Sequence, residues 1–174
     1  AAGEVWDGGY RENYAPETYE AIVESVRAII DSVKPKLAKY ALETMPWMYP
    51  DSPESYLKLM ADIDSPSFGV HMDMVNMINC PDRYFNNAAF TRRTFALLGD
   101  RILSCHVKDV ILRGRLTISL EETFPGTGGF DIAAYIDAAD AISPDIPMII
   151  EHLAGEDDYI RAVSYVQGLT RGES

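Results

Sequence analysis

Short apolar runs alternate with segments of helical period along this chain, and few architectures accommodate that rhythm. Residues 1–15 read as loop, because Gly8, Gly9 and Asn13 sit among aromatics (Trp6, Tyr10, Tyr14) that fit neither period. Pro16, Glu17 and Thr18 then open a helix, with proline in the first turn and an acid near the N-terminus. Ile22, Val23, Val26, Ile29, Ile30 and Val33 supply its apolar face, and Pro35 stops it. Residues 37–43 form a first strand between two prolines, and 53–60 begin a second helix. A second strand covers 68–73, a helix over 86–98 closes at Gly99, and a third strand covers 101–107. A loop runs on to the glycine-rich stretch 125–129, after which Asp131 caps a helix over 132–141. A fourth strand at 147–151 and a helix from about 157 to 166 complete the series. Repeated helix-strand units predict an α/β fold with a parallel sheet and right-handed crossovers. No repeat and no linker divides residues 1–174, so one domain is expected.

Of 174 residues, 47% are hydrophobic, too many for a disordered chain. No stretch reaches the ~18 consecutive apolar residues of a membrane span. The first residues lack the basic start and apolar run of a signal peptide. A net charge of -12 argues against a nucleic-acid backbone or an anionic membrane as partner. Cys80 and Cys105 make neither a disulfide framework nor a CxxC pair, so a reducing, cytoplasmic setting is expected.

The four strands end in Glu43, Asp73, His106 and Glu151. In parallel α/β architectures the side chains at C-terminal strand ends converge on one face. Spacings of 30, 33 and 45 residues put one of these groups on each successive unit. Three carboxylates and an imidazole around a point make a hard site for one divalent ion, suited to Mn²⁺ or Mg²⁺ and less to Co²⁺ or Zn²⁺. Strand alternation puts His71 on the face of Asp73, where it reaches the pocket beneath the metal. Lys108 shares a face with His106 and either aims its ammonium at a substrate oxygen or pairs with Asp73 or Asp109. His152, one residue past Glu151, is expected to point the other way. Trp47, Phe124 and Trp6 are expected to line the pocket and exclude water.

Five stretches carry a resemblance: 41–47 (ALETMPW), 70–76 (VHMDMVN), 105–109 (CHVKD), 125–131 (PGTGGFD) and 149–153 (IIEHL). In this order they resemble the sugar phosphate isomerase/epimerase group of xylose-isomerase-like TIM barrels. The resemblance implies a single divalent metal on Glu43, Asp73, His106 and Glu151. It also implies that two glutamates, Glu43 and Glu151, serve as acid and base on opposite faces of a sugar substrate. Proton transfer through a cis-enediolate then gives epimerisation or aldose-ketose isomerisation. Some members carry a histidine where this chain has Asn76, a departure that bears on substrate contacts. An arginine downstream of the histidine often contacts substrate in the group, and Arg113 or Arg115 matches it here.

A complete (β/α)₈ barrel takes about 250 residues, whereas this chain supplies four strands. Aligned with the family it holds strands 5–8, so a truncated chain or a fragment of a longer polypeptide is expected. Its two open sheet edges call for a second copy, giving a homo-oligomer, or for a complementary N-terminal half. Two other functions use the same elements: a metal-dependent dehydratase of a polyol or keto acid, and a non-catalytic half-barrel remnant. The related apurinic endonuclease branch needs several zinc ions and many histidines, and this chain has three histidines.

Overall fold

A computed structural model describes residues 8–170. Its strands are β1 (Tyr40–Glu43), β2 (Phe68–Met72), β3 (Ile102–Val107), β4 (Asp109–Arg113), β5 (Ser119–Thr123) and β6 (Met148–Ile150). Its α-helices are α1 (Pro16–Val33), α2 (Pro53–Ile63), α3 (Met74–Met77), α4 (Pro81–Phe85), α5 (Asn87–Leu98), α6 (Ile132–Asp140) and α7 (Glu156–Thr170). Four strands make a parallel sheet in the order β1-β2-β3-β6, and β4 pairs with β5 as a separate antiparallel hairpin. No described helix is long and apolar enough to cross a membrane.

Local chemistry accounts for the elements. Helix α1 buries Val23, Val26 and Ile30 at three-four spacing and ends where Lys34 turns left-handed, its N–H donating to the Ile30 carbonyl. Ser52 and Ser55 form a reciprocal cap on α2, with Pro53 in the first turn. Strand β2 is buried over Phe68, Gly69, Val70 and Met72, as a strand covered on both faces requires. Gly69 permits the close approach of β3: a Cβ there would lie 2.4 Å from Leu103 Cδ1 and 3.1 Å from the Arg101 carbonyl oxygen.

Helices follow one another in space, α1 on α2, α2 on α5, α5 on α6 and α6 on α7. One core lies between the sheet and α2, α5 and α6, built on Tyr56, Val70, Met72, Phe95, Leu98, Val107, Tyr135 and Ile136. A smaller one joins α1 to α2 through Val23, Val26, Ile30, Leu59, Ile63 and Phe68. Two buried hydroxyls tie helices to strand ends. Tyr56 Oη sits 2.6 Å from the Leu42 carbonyl oxygen and 3.1 Å from that of His71, and Tyr135 Oη donates to Met72 O at 3.1 Å.

Several expectations change. The first strand begins at Tyr40, whose N–H meets Ser67 O, and not at Leu37, which is fully solvent-exposed with nothing to pair against. The helix expected over 86–98 is preceded by two short turns of helix, α3 and α4, and starts at Asn87. The stretch after β3, expected as loop, contains the β4–β5 hairpin. The last helix extends at both ends, to Glu156 and Thr170. Trp6 lies outside the described residues.

Candidate metal centre and the cavity beside it

Parallel pairing levels the strand ends, so Glu43 at the end of β1, His106 one residue before the end of β3, and Asp73 and Glu151 just after β2 and β6 meet on one face. Ligand atoms of Glu43, Asp73, His106 and Glu151 all lie within 4.8 Å of one another. His106 Nδ1 sits among the carboxylates, 3.0 Å from Glu43 Oε1, 3.0 Å from Glu151 Oε2 and 3.7 Å from Asp73 Oδ2. Burial disfavours the imidazolium, but the three carboxylates gathered around Nδ1 favour it more strongly and push the His106 pKa up to about 11.

Asp73 is fully buried, and its pKa is raised by burial against the pull of His106 and Lys108. Its Oδ1 accepts the Asn76 N–H at 3.0 Å. Its Oδ2 takes no directed hydrogen bond among the described residues, although the Lys108 ammonium stands 2.9 Å away. A buried carboxylate oxygen without a directed donor, facing two further carboxylates and an imidazole nitrogen, suits a hard divalent cation. These residues therefore fit the ion that the sequence implies.

Supporting contacts fix the ligands. Thr44, buried beside Glu43, donates to Asp73 O at 2.8 Å and accepts from Asp73 N at 2.9 Å, tying the tip of β1 to the tip of β2. Asn76 Nδ2 donates to Thr44 O at 2.9 Å. Lys108 is buried among three acids: Asp73 at 2.9 Å, Glu122 at 2.9 Å and Glu151 at 2.8 Å. Desolvation disfavours its charge, yet these acids raise its pKa. Glu151 is held well below the usual carboxylate range, because the His106 and Lys108 hydrogen bonds exceed the cost of burial. The pairing with Asp73 that was one of the roles expected for Lys108 is observed.

His71 lies at the same centre. Its ring stands edge-on to that of His106 at 4.0 Å, and its Nδ1 is 2.6 Å from Ser104 Oγ. A register shift after Val70 aligns His71 with Ser104. Burial and the neighbouring His106 lower its pKa. His71 also forms a second group with Glu43 and His106, their ligand atoms again within 4.8 Å.

Other expected residues sit further out. Trp47 follows β1 and lines a cavity of about 420 Å³ with Pro46, Val75, Asn76, Leu120 and Glu122 among its neighbours. Arg113 is exposed on the hairpin and donates to Glu121 Oε2 at 2.9 Å, and Arg115 stands 3.9 Å from Glu121 Oε1. Phe124 lines a smaller recess beside Lys108 and Glu151, with the Arg161 guanidinium 5.0 Å from its ring. His152 does not turn away as alternation suggested. Two residues past the end of β6 its backbone adopts φ +59°, and its Nδ1 meets Glu122 Oε2 at 2.8 Å on the rim of the site.

Three residues went unrecognised in the sequence. Glu122 and Thr44 are two of them. The third is Asp109, mentioned only as a partner for Lys108. Its buried carboxylate instead accepts four backbone N–H groups, from Val110, Gly126, Gly128 and Phe130, at 2.8 to 3.0 Å. The spacing of a buried Asp and a Pro-Gly-x-Gly loop is the only sequence signal for that clamp. Gly128 must lack a side chain there, since a Cβ would lie 2.3 Å from Asp109 Oδ1.

A parallel α/β sheet whose strand ends gather an oxygen-rich cation site defines a recognisable class of protein. The xylose isomerase-like TIM barrel family model matches residues 2–169, and the chain belongs to that family. A xylose isomerase domain protein from Planctomyces limnophilus superposes with a TM-score of 0.71 at 21% identity, covering 95% of this chain and 56% of that one. A xylose isomerase-like TIM barrel protein from Mycobacterium smegmatis, solved in complex with magnesium, gives 0.69 at 17%, with coverage of 92% and 53%. D-allulose 3-epimerase from Methylomonas sp. gives 0.71 at 16%, with coverage of 93% and 59%. The chain thus spans little more than half the length of each, and at these identities the likeness is one of fold. No curated protein matches the sequence.

Proposed function

We propose that the protein is a divalent-metal-dependent isomerase or epimerase of a sugar, working by proton transfer next to a carbonyl. The supporting observation is the convergence of four ligand atoms within 4.8 Å at the strand tips. Glu43, Asp73, His106 and Glu151 would hold the ion, with Mn²⁺ or Mg²⁺ suited to the donor set. Such an ion supplies Lewis acidity to a bound hydroxy-ketone and lowers the pKa of the C–H beside its carbonyl.

The chain's own residues supply the rest. Glu43 and Glu151 approach the centre from the outer part of the sheet, on β1 and after β6, with Asp73 and His106 between them. That placement lets one carboxylate remove a proton from one face and the other return it on the opposite face or at the neighbouring carbon. Lys108 holds Glu151 ionised at the strand tips. His71, Asn76, Lys108, Trp47 and Arg113 are assigned to substrate contact, the first three nearest the ligands.

The test pairs metal analysis with isotope exchange. About one divalent ion per chain is expected. Glu43→Gln and Glu151→Gln are each expected to slow exchange of the ketose C–H with D₂O by at least ~10²-fold, the scale of general acid-base catalysis. Exchange retained in both variants refutes the two-glutamate scheme.

A further inference from the structure

The parallel register sets a row of polar side chains one layer beneath Asp73 and His106. Glu43 of β1 lies beside His71 of β2, and His71 beside Ser104 of β3. His71 and Ser104 stand two residues before Asp73 and His106 respectively, so each shares a face with the ligand above it. Glu43 joins the layers, since its Oε1 reaches His106 Nδ1 at 3.0 Å. Ligand atoms of Glu43, His71 and His106 lie within 4.8 Å of one another, and the two rings stand edge to face with centroids 4.0 Å apart.

Two imidazoles and one carboxylate form a ligand set of catalytic zinc sites, with the fourth position left to water or substrate. Imidazole suits zinc, whereas magnesium favours oxygen donors. A ligating histidine almost always engages its other ring nitrogen in a hydrogen bond that fixes the tautomer. His71 has such a partner, with Nδ1 2.6 Å from Ser104 Oγ. When the Nδ1 hydrogen is donated to the serine oxygen, Nε2 carries the lone pair that an ion needs.

Electrostatics separate this set from the four-ligand one. Asp73 and Glu151 belong only to the latter, and the Lys108 ammonium stands 2.9 and 2.8 Å from them, competing with a cation for their oxygens. The ion pairs of Lys108 run to Asp73, Glu122 and Glu151, and leave the Glu43–His71–His106 set to other partners.

We infer that Glu43, His71 and His106 form a second, nitrogen-rich position for a divalent ion, one that takes Zn²⁺ in preference to Mg²⁺, with Ser104 positioning the His71 ring. Both positions draw on Glu43 and His106, so the strand tips hold one ion at a time, and the identity of the ion sets which position is filled. With Mg²⁺ on the four ligands, His71 is left to the substrate. With Zn²⁺, it is withdrawn to the metal. The inference rests on the metal centre proposed above and extends it to nitrogen-seeking ions.

Calorimetry of the metal-free protein with Zn²⁺ and with Mg²⁺ tests it. Ser104→Ala is expected to weaken Zn²⁺ binding about 10- to 100-fold, as loss of a ligand's hydrogen-bond partner typically does, and His71→Ala by at least as much. Both variants are expected to bind Mg²⁺ within about threefold of the parent, since magnesium does not call on imidazole. Glu151→Gln is expected to do the reverse, weakening Mg²⁺ at least ~10-fold and leaving Zn²⁺ within about threefold. Ser104→Ala alters no ligand, and it decides the matter should His71→Ala fail to fold. Long-range ¹H–¹⁵N spectra of the histidine rings need no substitution at all. Zn²⁺ is expected to shift ring nitrogens of His71 and His106 together, and Mg²⁺ to move His71 far less.

Zn²⁺ that does not bind, that leaves the His71 ring unmoved, that binds as tightly after Ser104→Ala and His71→Ala, or that is weakened as much by Glu151→Gln as by His71→Ala overturns the inference. Mg²⁺ binding alongside Zn²⁺ binding indifferent to His71 removes only this inference. Zn²⁺ binding that depends on His71, in a chain that takes up no Mg²⁺, removes the four-ligand ion of the proposed reaction and leaves the nitrogen-rich position standing.

Discussion

Single side chains here act chiefly by satisfying buried donors and charges. Asp109 is the clearest instance, a carboxylate at 1% exposure that accepts four backbone N–H groups. Its removal strands all four donors, each costing on the order of 1 kcal/mol or more. Asp109→Ala is therefore expected to lower unfolding free energy by at least ~3 kcal/mol in urea titrations. Asp109→Asn, which keeps one acceptor oxygen, is expected to lose less. Equal stability of Asp109→Ala and the parent protein would show that the loop is held by something else. Lys108 follows the same logic with charge: burial is tolerated because three acids surround the ammonium.

Among elements, the strand tips matter as a set. Thr44 bridges β1 to the backbone of Asp73, so the ligand on one strand depends on a hydroxyl from its neighbour. Thr44→Val keeps the shape and deletes both hydrogen bonds. Metal affinity is expected to fall about 10- to 100-fold, as losses in the outer shell of a metal site typically do. Titration of the ion by calorimetry reads this directly, and unchanged affinity would assign Thr44 to folding alone. Much of this arrangement was legible in the sequence. Buried parallel strands read as short apolar runs, and Glu43, Asp73, His106 and Glu151 stand at their ends in phase. The hairpin was hidden because Gly114 interrupts it and charged Arg113, Arg115, Glu121 and Glu122 blur its alternation. His152 was misplaced because alternation assumes an extended backbone, and its φ is +59°. Thr44 carried no signal, since a hydroxyl beside a ligand looks like any other.

For the molecule as a whole, the sheet ends at β1 and β6 among the described residues, each with one neighbour. Unpaired strand edges recruit partners. Light scattering is expected to show the chain associating as concentration rises through the micromolar range, with itself or with a co-expressed complementary half. A monomer across that range would mean that side chains shield both edges. The putting-together of the site also has an evolutionary consequence. All four ligands stand at the ends of sheet strands, whereas Ile118, Leu120 and Glu122 belong to a projecting hairpin anchored at its base by Asp109. Lengthening or rewriting that hairpin would retarget the protein to a new molecule without disturbing its chemistry, so variation among descendants should accumulate there first.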